Sequence, residues 1–318
     1  MKLLSVVVPC YNEEEVLPFF YKKINEISEK MIEKIAFEYI FVDDGSKDDT
    51  LQYIKKLAAE DRRVGYVSFT RNFGKEAAIY AGLEHSKGDY VVLIDADLQN
   101  PPEMIIEMYD SIIEGGYDSV AARRVTRTGE PVIRSFFSKS FYRVFNKISN
   151  TNLAEGASDF RLMTRQMVEV ILAMKESNRF TKGIFGWVGF NTKWIECENV
   201  ERIAGESKWS FLSLFNYAIE AIVDFSMLPL AIAGILGILF TVISFISLVI
   251  QIFGYMTLGH FKSNLSLLVS VILLIGGLQF FCIGILSEYV GRAYLECKHR
   301  PIYIEKEESS YDNDKSKN

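Results

Sequence analysis

The chain has no glycine-rich cradle for phosphate. After the first expected strand a dinucleotide-binding fold would show G-x-G-x-x-G, whereas here Pro9-Cys10-Tyr11-Asn12-Glu13-Glu14 follows. No G-x-x-x-x-G-K-[ST] loop occurs either, so any bound phosphate must be held by metal or by cations. Histidine is scarce: with only His85, His260 and His299 in the chain, a Ser/His/Asp hydrolase finds no support. The cysteines Cys10, Cys197, Cys282 and Cys297 form no C-x-x-C pair and read as reduced thiols in a cytoplasm-facing protein. Basic excess is missing as well, since a net charge of −6 and a pI near 5.4 argue against general nucleic-acid binding. The N-terminus starts a strand behind a single Lys2, so no signal peptide is expected.

Charge is absent over two long stretches. No Asp, Glu, Lys or Arg lies between Phe225 and Gly259, nor between Ser263 and Ser287. Each stretch exceeds the roughly 20 apolar residues that cross a bilayer, so two transmembrane helices are expected, with a buried helical hairpin as the alternative. Their polar residues include Ser, Thr, Gln251 and Gln279 and no charged group, which suits an anchor better than a transporter. Arg292, Lys298 and Arg300 follow the second stretch, while the connecting loop has Lys262 and His260. The positive-inside rule then predicts an integral membrane protein with both termini cytoplasmic. Gly234 and Gly237, or Gly276 and Gly277, permit close helix contact, which opens the way to a homo-oligomer.

What is present before residue 224 is alternation. Strands are expected at residues 3–8, 37–42, 64–68, 90–94 and 119–122, and helices at 14–32, 49–60, 75–85 and 102–113. That order implies an α/β fold with a mainly parallel sheet, whose ligands sit beyond the carboxyl ends of the strands. Three polar clusters fall there: Tyr11-Asn12-Glu13, Asp43-Asp44-Gly45-Ser46 and Asp95-Ala96-Asp97. Asp95 and Asp97 are two apart on an extended chain, so both carboxylates can face one hard divalent cation and, through it, a diphosphate. The structural alternative is that Asp97 caps the following helix. Asn12 reads as a helix cap, and Ser46 with Asp49 as an S-x-x-D cap, with Gly45 permitting the turn. Those readings leave Tyr11 and the doubled Asp43-Asp44 unexplained. An aromatic ring for a base to stack on and a carboxylate to accept from a base or ribose are what a nucleotide pocket needs.

Two further stretches carry information. Ile133, Phe136, Phe137, Phe141, Val144, Phe145 and Ile148 form a helical stripe whose only charges are Arg134, Lys139, Arg143 and Lys147. A basic, Phe-rich amphipathic helix over about 131–150 suits a membrane interface, or else packs on the domain's own core. Residues 209–223, led by Trp209, read as a second interfacial helix. The expected organisation is therefore an α/β domain at 1–224 that includes both interfacial helices, a two-helix transmembrane part at 225–287, and a cytoplasmic segment at 288–318 ending in a disordered tail from Glu305.

VVVPCYNEE, FVDDGSKDDT, DADLQNPPE and GESKW together resemble glycosyltransferase family 2, and the EYVGRAYLECKHRPIY segment resembles its polyprenyl-phosphate (bactoprenol) glucosyltransferase branch, similar to dolichol-phosphate mannose synthases. The resemblance runs to about Ile304 and implies a GT-A nucleotide-sugar fold. It implies nucleoside contacts from Pro9, Tyr11, Glu13 and Asp44, and a Mg²⁺ or Mn²⁺ diphosphate site at Asp95, Ala96 and Asp97 with Gln99 nearby. Arg124, Arg202 and Lys208 match positions that handle donor and acceptor phosphates, chemistry that suits Arg and Lys. Lys75 is a further candidate for the diphosphate, a solvated helix start being the alternative; Arg123 reads as ordinary surface charge. Asp159, within Ala157-Ser158-Asp159-Phe160-Arg161-Leu162, matches the carboxylate near the acceptor. The implied reaction is inverting transfer of one sugar from UDP-glucose to polyprenyl phosphate. The alternatives are UDP-N-acetylglucosamine or GDP-mannose as donor, or a non-catalytic nucleotide-binding scaffold. A processive polysaccharide synthase would need a Q-x-x-R-W signature, which the chain lacks.

Overall fold

The computed structural model describes residues 1–124, 146–147, 154, 156–176, 179–197, 235, 239, 246, 253, 256 and 265–309. The chain divides into two compact units, one formed by Met1–Ala221 with Pro301–Asn318 and the other by Ile222–Arg300.

Strand and helix alternate through the first unit as β1 (Leu3–Cys10), α1 (Leu17–Lys30), β2 (Ala36–Asp43), α2 (Thr50–Glu60), β3 (Val64–Phe69), α3 (Lys75–His85), β4 (Tyr90–Leu93), α4 (Met104–Gly115) and β5 (Ser119–Arg124). Then come β6 (Ala157–Thr164), α5 (Arg165–Ala173), α6 (Thr181–Trp187), β7 (Thr192–Cys197) and, from the far end of the chain, β8 (Glu305–Ser309). The sheet order is β7-β5-β6-β4-β1-β2-β3-β8. β1 runs parallel to β2 and β4, β2 to β3, and β5 to β7, whereas β6 is antiparallel to β4 and β5, and β8 to β3.

The mainly parallel α/β sheet is thus as the alternation implied. β1 is buried on both faces, with Leu4, Val6, Val7 and Val8 wholly inaccessible, as a central parallel strand covered by helices must be. Leu17, Phe20, Ile24 and Ile27 of α1 recur at helical spacing and are buried. α3 lies so close to the sheet that a Cβ on Gly82 would come within 2.2 Å of Val7 Cγ1, which is why a side-chain-free residue stands there. The expected strands at 37–42 and 119–122 and the helices at 49–60 and 75–85 differ from the observed elements by no more than a turn at either end.

Several expectations differ from what is found. Glu305–Ser309, expected in a disordered tail, is an edge strand, and its charged side chains are the kind that keep an edge from pairing with other chains. Among the described residues no helix is long and apolar enough to cross a membrane. The expected two-helix transmembrane part, and the placement as an integral membrane protein, are corrected accordingly. In the second unit α7 (Leu265–Cys297) runs beyond the uncharged stretch and carries Glu288, Arg292 and Glu296, with Glu288 and Arg292 paired at 3.0 Å one turn apart. Of the other stretch only Ile235, Leu239, Ile246, Phe253 and Met256 are described. The amphipathic segment at 131–150, apart from Asn146 and Lys147, and the one at 209–223 lie outside the described residues.

A buried polar knot ties the amino ends of the strands. Glu38 is wholly inaccessible; its Oε1 accepts from Ser5 Oγ, from Lys87 N at 2.7 Å and from Gly88 N at 3.1 Å. Arg165 then donates to Gly88 O and Ser86 Oγ, so α5 is fixed to the same turn. Glu38→Ala removes the acceptor of Lys87 N and one of the two acceptors of Gly88 N, the other being Ser5 Oγ, and should cost about 1–3 kcal/mol. The knot lies at the end of the sheet away from the carboxyl ends, so chemical denaturation should register the loss while ligand affinity of the surviving folded protein stays unchanged.

Candidate active site

The three polar clusters do converge, and hydrogen bonds between the loops bring them together. Asn12 N donates to Ser46 Oγ at 2.9 Å and Lys47 N returns a bond to Asn12 Oδ1 at 2.8 Å. Glu13 N reaches Thr50 Oγ1 at 2.8 Å, and Asp49 N reaches Glu14 Oε2 at 2.8 Å. Asn12 and Ser46 therefore bridge two loops rather than cap their own helices, which begin only at Leu17 and Thr50. Asn12 takes φ +52, a left-handed conformation that Asn tolerates well. Tyr11, Glu13 and Pro9 line the end of β1, all partly accessible.

Asp43 and Asp44 turn inward. Asp43 accepts from Ser46 N at 3.1 Å and from Ser68 Oγ at 2.9 Å. Asp44 accepts from Phe73 N at 2.6 Å and Gly74 N at 3.0 Å, which fixes the loop at 70–74 above the sheet. The fit is close: Gly45 has φ +65, and a Cβ there would lie 2.5 Å from the Arg71 carbonyl carbon. Burial pushes the Asp44 carboxyl up to about 6, against the pull of the Phe73 and Gly74 amides.

Beyond that loop α3 begins with Lys75, whose Nζ lies within 2.9 Å of both Asp95 oxygens and 2.8 Å from Asp159 Oδ2. One ammonium thus joins the start of α3, the end of β4 and the start of β6. The topology dictates this meeting, since β6 is antiparallel to β4 with Leu93 opposite Arg161, so that Asp159 arrives beside Asp95. Lys182 of α6 stands 3.7 Å from Asp159 Oδ1, and Glu76 accepts from Thr181 N at 3.0 Å to hold α6 beside α3. Burial opposes the charge on Asp159, yet Lys182 and Lys75 hold its carboxyl well below the usual carboxylate range. Arg161, on the same strand face, is buried with its guanidinium 3.8 Å over the Phe185 ring, and its Nε has no hydrogen-bond partner among the described residues.

Asp97 and Gln99 occupy a tight turn in which Gln99 N donates to Asp97 Oδ1 at 3.1 Å. Leu98 between them takes φ +56, a conformation that costs a side-chain-bearing residue roughly 1–2 kcal/mol and that the buried leucine side chain must offset. Asn100 and Ser158 meet at 3.3 Å and tie this turn to β6. Asp95 and Asp97, both partly accessible and both hard oxygen donors, suit a divalent cation that shares its shell with phosphate oxygens.

Residues 5–172 match the family described as Glycosyl transferase family 2. The chain is 44% identical over 306 residues to the bactoprenol glucosyl transferase of Shigella phage SfV, covering 96% of this chain and 98% of that protein. It is 43% identical over 302 residues to the prophage bactoprenol glucosyl transferase homolog of Escherichia coli K12, covering 95% and 97% of the two chains. The chain belongs to glycosyltransferase family 2. Overlay on the mannosyl-3-phosphoglycerate synthase of Rubrobacter xylanophilus gives a TM-score of 0.49 at 18% identity, over 70% of this chain and 73% of that one.

For this glycosyltransferase, the structure brings Lys75, Asp95 and Asp159 into one cluster and places Pro9, Tyr11, Glu13, Asp44, Ala96, Asp97 and Gln99 at the same strand ends. Arg124 closes β5, with its side chain outside the described residues, as Arg202 and Lys208 are altogether. Arg123 pairs with Glu196 on β7 at 2.6 Å, the surface role read for it. Lys182 and Arg161 were not anticipated as site residues. Lys182 belongs to no motif and carries no spacing signal, whereas the position of Arg161 two residues beyond Asp159 could have placed it on the same face.

Asp44 yields a signed prediction. Its native pKa lies above the unfolded value, so its contribution to stability is present below about pH 4 and lost as pH rises through about 6. Thermal and urea unfolding of wild type and Asp44→Asn from pH 4 to 7 should show the variant gaining relative to wild type, by on the order of 3 kcal/mol across the window. A constant difference would contradict the desolvated carboxylate.

Proposed function

We propose that this glycosyltransferase moves one glucose from UDP-glucose to the phosphate of a polyprenyl phosphate, with inversion at the anomeric carbon. The observation that carries the reading is the Asp95–Lys75–Asp159 cluster at the carboxyl ends of the strands, flanked by Lys182. The names of the two bactoprenol relatives support the sugar and the lipid class.

Pro9, Tyr11, Glu13 and Asp44 form the nucleoside end. Asp95 and Asp97 would hold Mg²⁺ or Mn²⁺, which when bound supplies charge neutralisation to the diphosphate. Lys75 adds positive charge beside it, and Ala96 and Gln99 shape the turn. A lipid phosphate oxygen attacks the anomeric carbon, the bond from that carbon to the diphosphate oxygen breaks, and the nucleoside diphosphate leaves with the electron pair. A phosphate monoester has a second pKa of about 6, so the attacking oxygen is already largely anionic at neutral pH. The reaction therefore needs no strong base, and Asp159, held acidic by two lysines, would be a poor one. Asp159 instead orients Lys75 and Lys182, and Lys182 with Arg161 receives the acceptor phosphate. Arg124, Arg202 and Lys208 complete the phosphate contacts.

The test is transfer of label from UDP-glucose, UDP-N-acetylglucosamine and GDP-mannose into the lipid extract, with purified protein, undecaprenyl phosphate, detergent and Mg²⁺. Label should come from UDP-glucose, form a β-linkage from the α-linked donor, and vanish with chelator or Asp97→Asn. Label from another donor alone would reassign the sugar, and none from any donor would reject the reaction. Lys182→Ala should raise KM for the lipid phosphate about tenfold with KM for the donor little changed.

A further inference from the structure

β8 lies beside the loop at 70–74 that Asp44 holds. β8 pairs antiparallel with β3, from Tyr66 opposite Ser309 to Phe69 opposite Glu305. Just ahead of it, Ile304 O accepts from Thr70 N at 3.1 Å, the first residue of the loop at 70–74. The Tyr303 ring stacks on Phe69 with centroids 4.8 Å apart and planes 26° apart, and its hydroxyl donates to Glu84 at 2.6 Å. Phe69 in turn meets Phe73 edge to face at 5.8 Å. Phe73 and Gly74 are the residues whose amides hold Asp44, and Lys75, which joins Asp95 to Asp159, is the next along.

The loop is therefore held from two sides. Asp44 holds its far end from beneath the sheet's carboxyl edge, and Ile304 with Tyr303 holds its near end from a segment that the whole second unit separates from it in sequence. Removing the near support leaves Phe69 without its stacked partner and loosens the Phe69–Phe73 pair, with Arg71, 4.0 Å over the Phe73 ring, as the contact Phe73 retains independently. The Phe73 and Gly74 amides then lose register with Asp44.

We infer that Tyr303 and Ile304 are positioning residues for the nucleotide-sugar donor, acting through the loop at 70–74 and the Phe69–Phe73 ring pair. This rests on the reading of the strand-end crevice as the donor site. Lys55 and Glu307, which pair at 2.7 Å further along β8, provide the contrast, because they fasten the strand without touching the aromatic chain.

Full-length Tyr303→Ala, Tyr303→Phe and Glu307→Gln test this by UDP calorimetry with Mn²⁺, donor and acceptor KM, and amide hydrogen exchange of the peptide covering Phe73 and Gly74. Tyr303→Ala should weaken UDP binding and raise donor KM by about tenfold, the loss of one aromatic pair, with acceptor KM unchanged and exchange at Phe73 and Gly74 faster. Tyr303→Phe keeps the stack and should retain near-wild-type values. Glu307→Gln should lower the thermal midpoint alone. Faster exchange in Tyr303→Ala with UDP affinity intact would overturn the inference while leaving the donor site standing, as would equal effects of Tyr303→Ala and Glu307→Gln on UDP affinity. Wild-type protein that binds no UDP would remove the donor site itself and the inference with it.

Discussion

The contact on which the site depends is the bridge from Lys75 to Asp95 and Asp159. Two carboxylates brought close together repel, and in a partly desolvated crevice that repulsion is expensive. An ammonium between them converts repulsion into attraction and fixes three elements that are distant in sequence. Lys75 comes from the first turn of α3, Asp95 follows β4, and Asp159 opens β6, so the bridge forms only when the parallel half of the sheet and the antiparallel β6 are both in register. The chemistry and the fold thus constrain one another at a single atom, Lys75 Nζ.

Around that atom the loops are arranged by similar means. The first two loops hold each other through Asn12, Ser46, Lys47, Glu13 and Thr50, and the third is suspended on Asp44. Polar residues here satisfy backbone amides, so the crevice keeps its shape without an extensive apolar lining. The positive φ at Asn12 and Leu98 lies within the same loops, where the hydrogen bonds and the buried Leu98 side chain can sustain it. At the opposite end of the sheet the hydrogen bonds of Glu38, Ser5 and Arg165 serve stability.

Much of this was legible in the sequence because hydrophobic runs bounded by polar clusters mark buried parallel strands and their carboxyl ends. Tyr90 to Leu93, ending on Asp95 and Asp97, is the clearest case. What was not legible depended on pairing across the chain. Nothing local to Glu305-Lys306-Glu307-Glu308 suggests a strand; its partner β3 does, together with Tyr303 on Phe69. Asn12 and Ser46 looked like caps because a cap is the local use of such residues, and the neighbouring loop outcompeted it. Absence of charge reports avoidance of water but not the element that achieves it, and the two uncharged stretches were over-read for that reason: no described helix is long and apolar enough to cross a membrane.

The proposed reaction requires the strand-end carboxylates to hold a divalent cation together with the nucleotide, and Mn²⁺ electron paramagnetic resonance measures that directly. Titrating Mn²⁺ into wild type with and without UDP, and into Asp97→Asn, should show free Mn²⁺ signal disappearing in wild type, more tightly when UDP is present, and persisting in the variant. Equal Mn²⁺ binding by wild type and Asp97→Asn, indifferent to UDP, would contradict it.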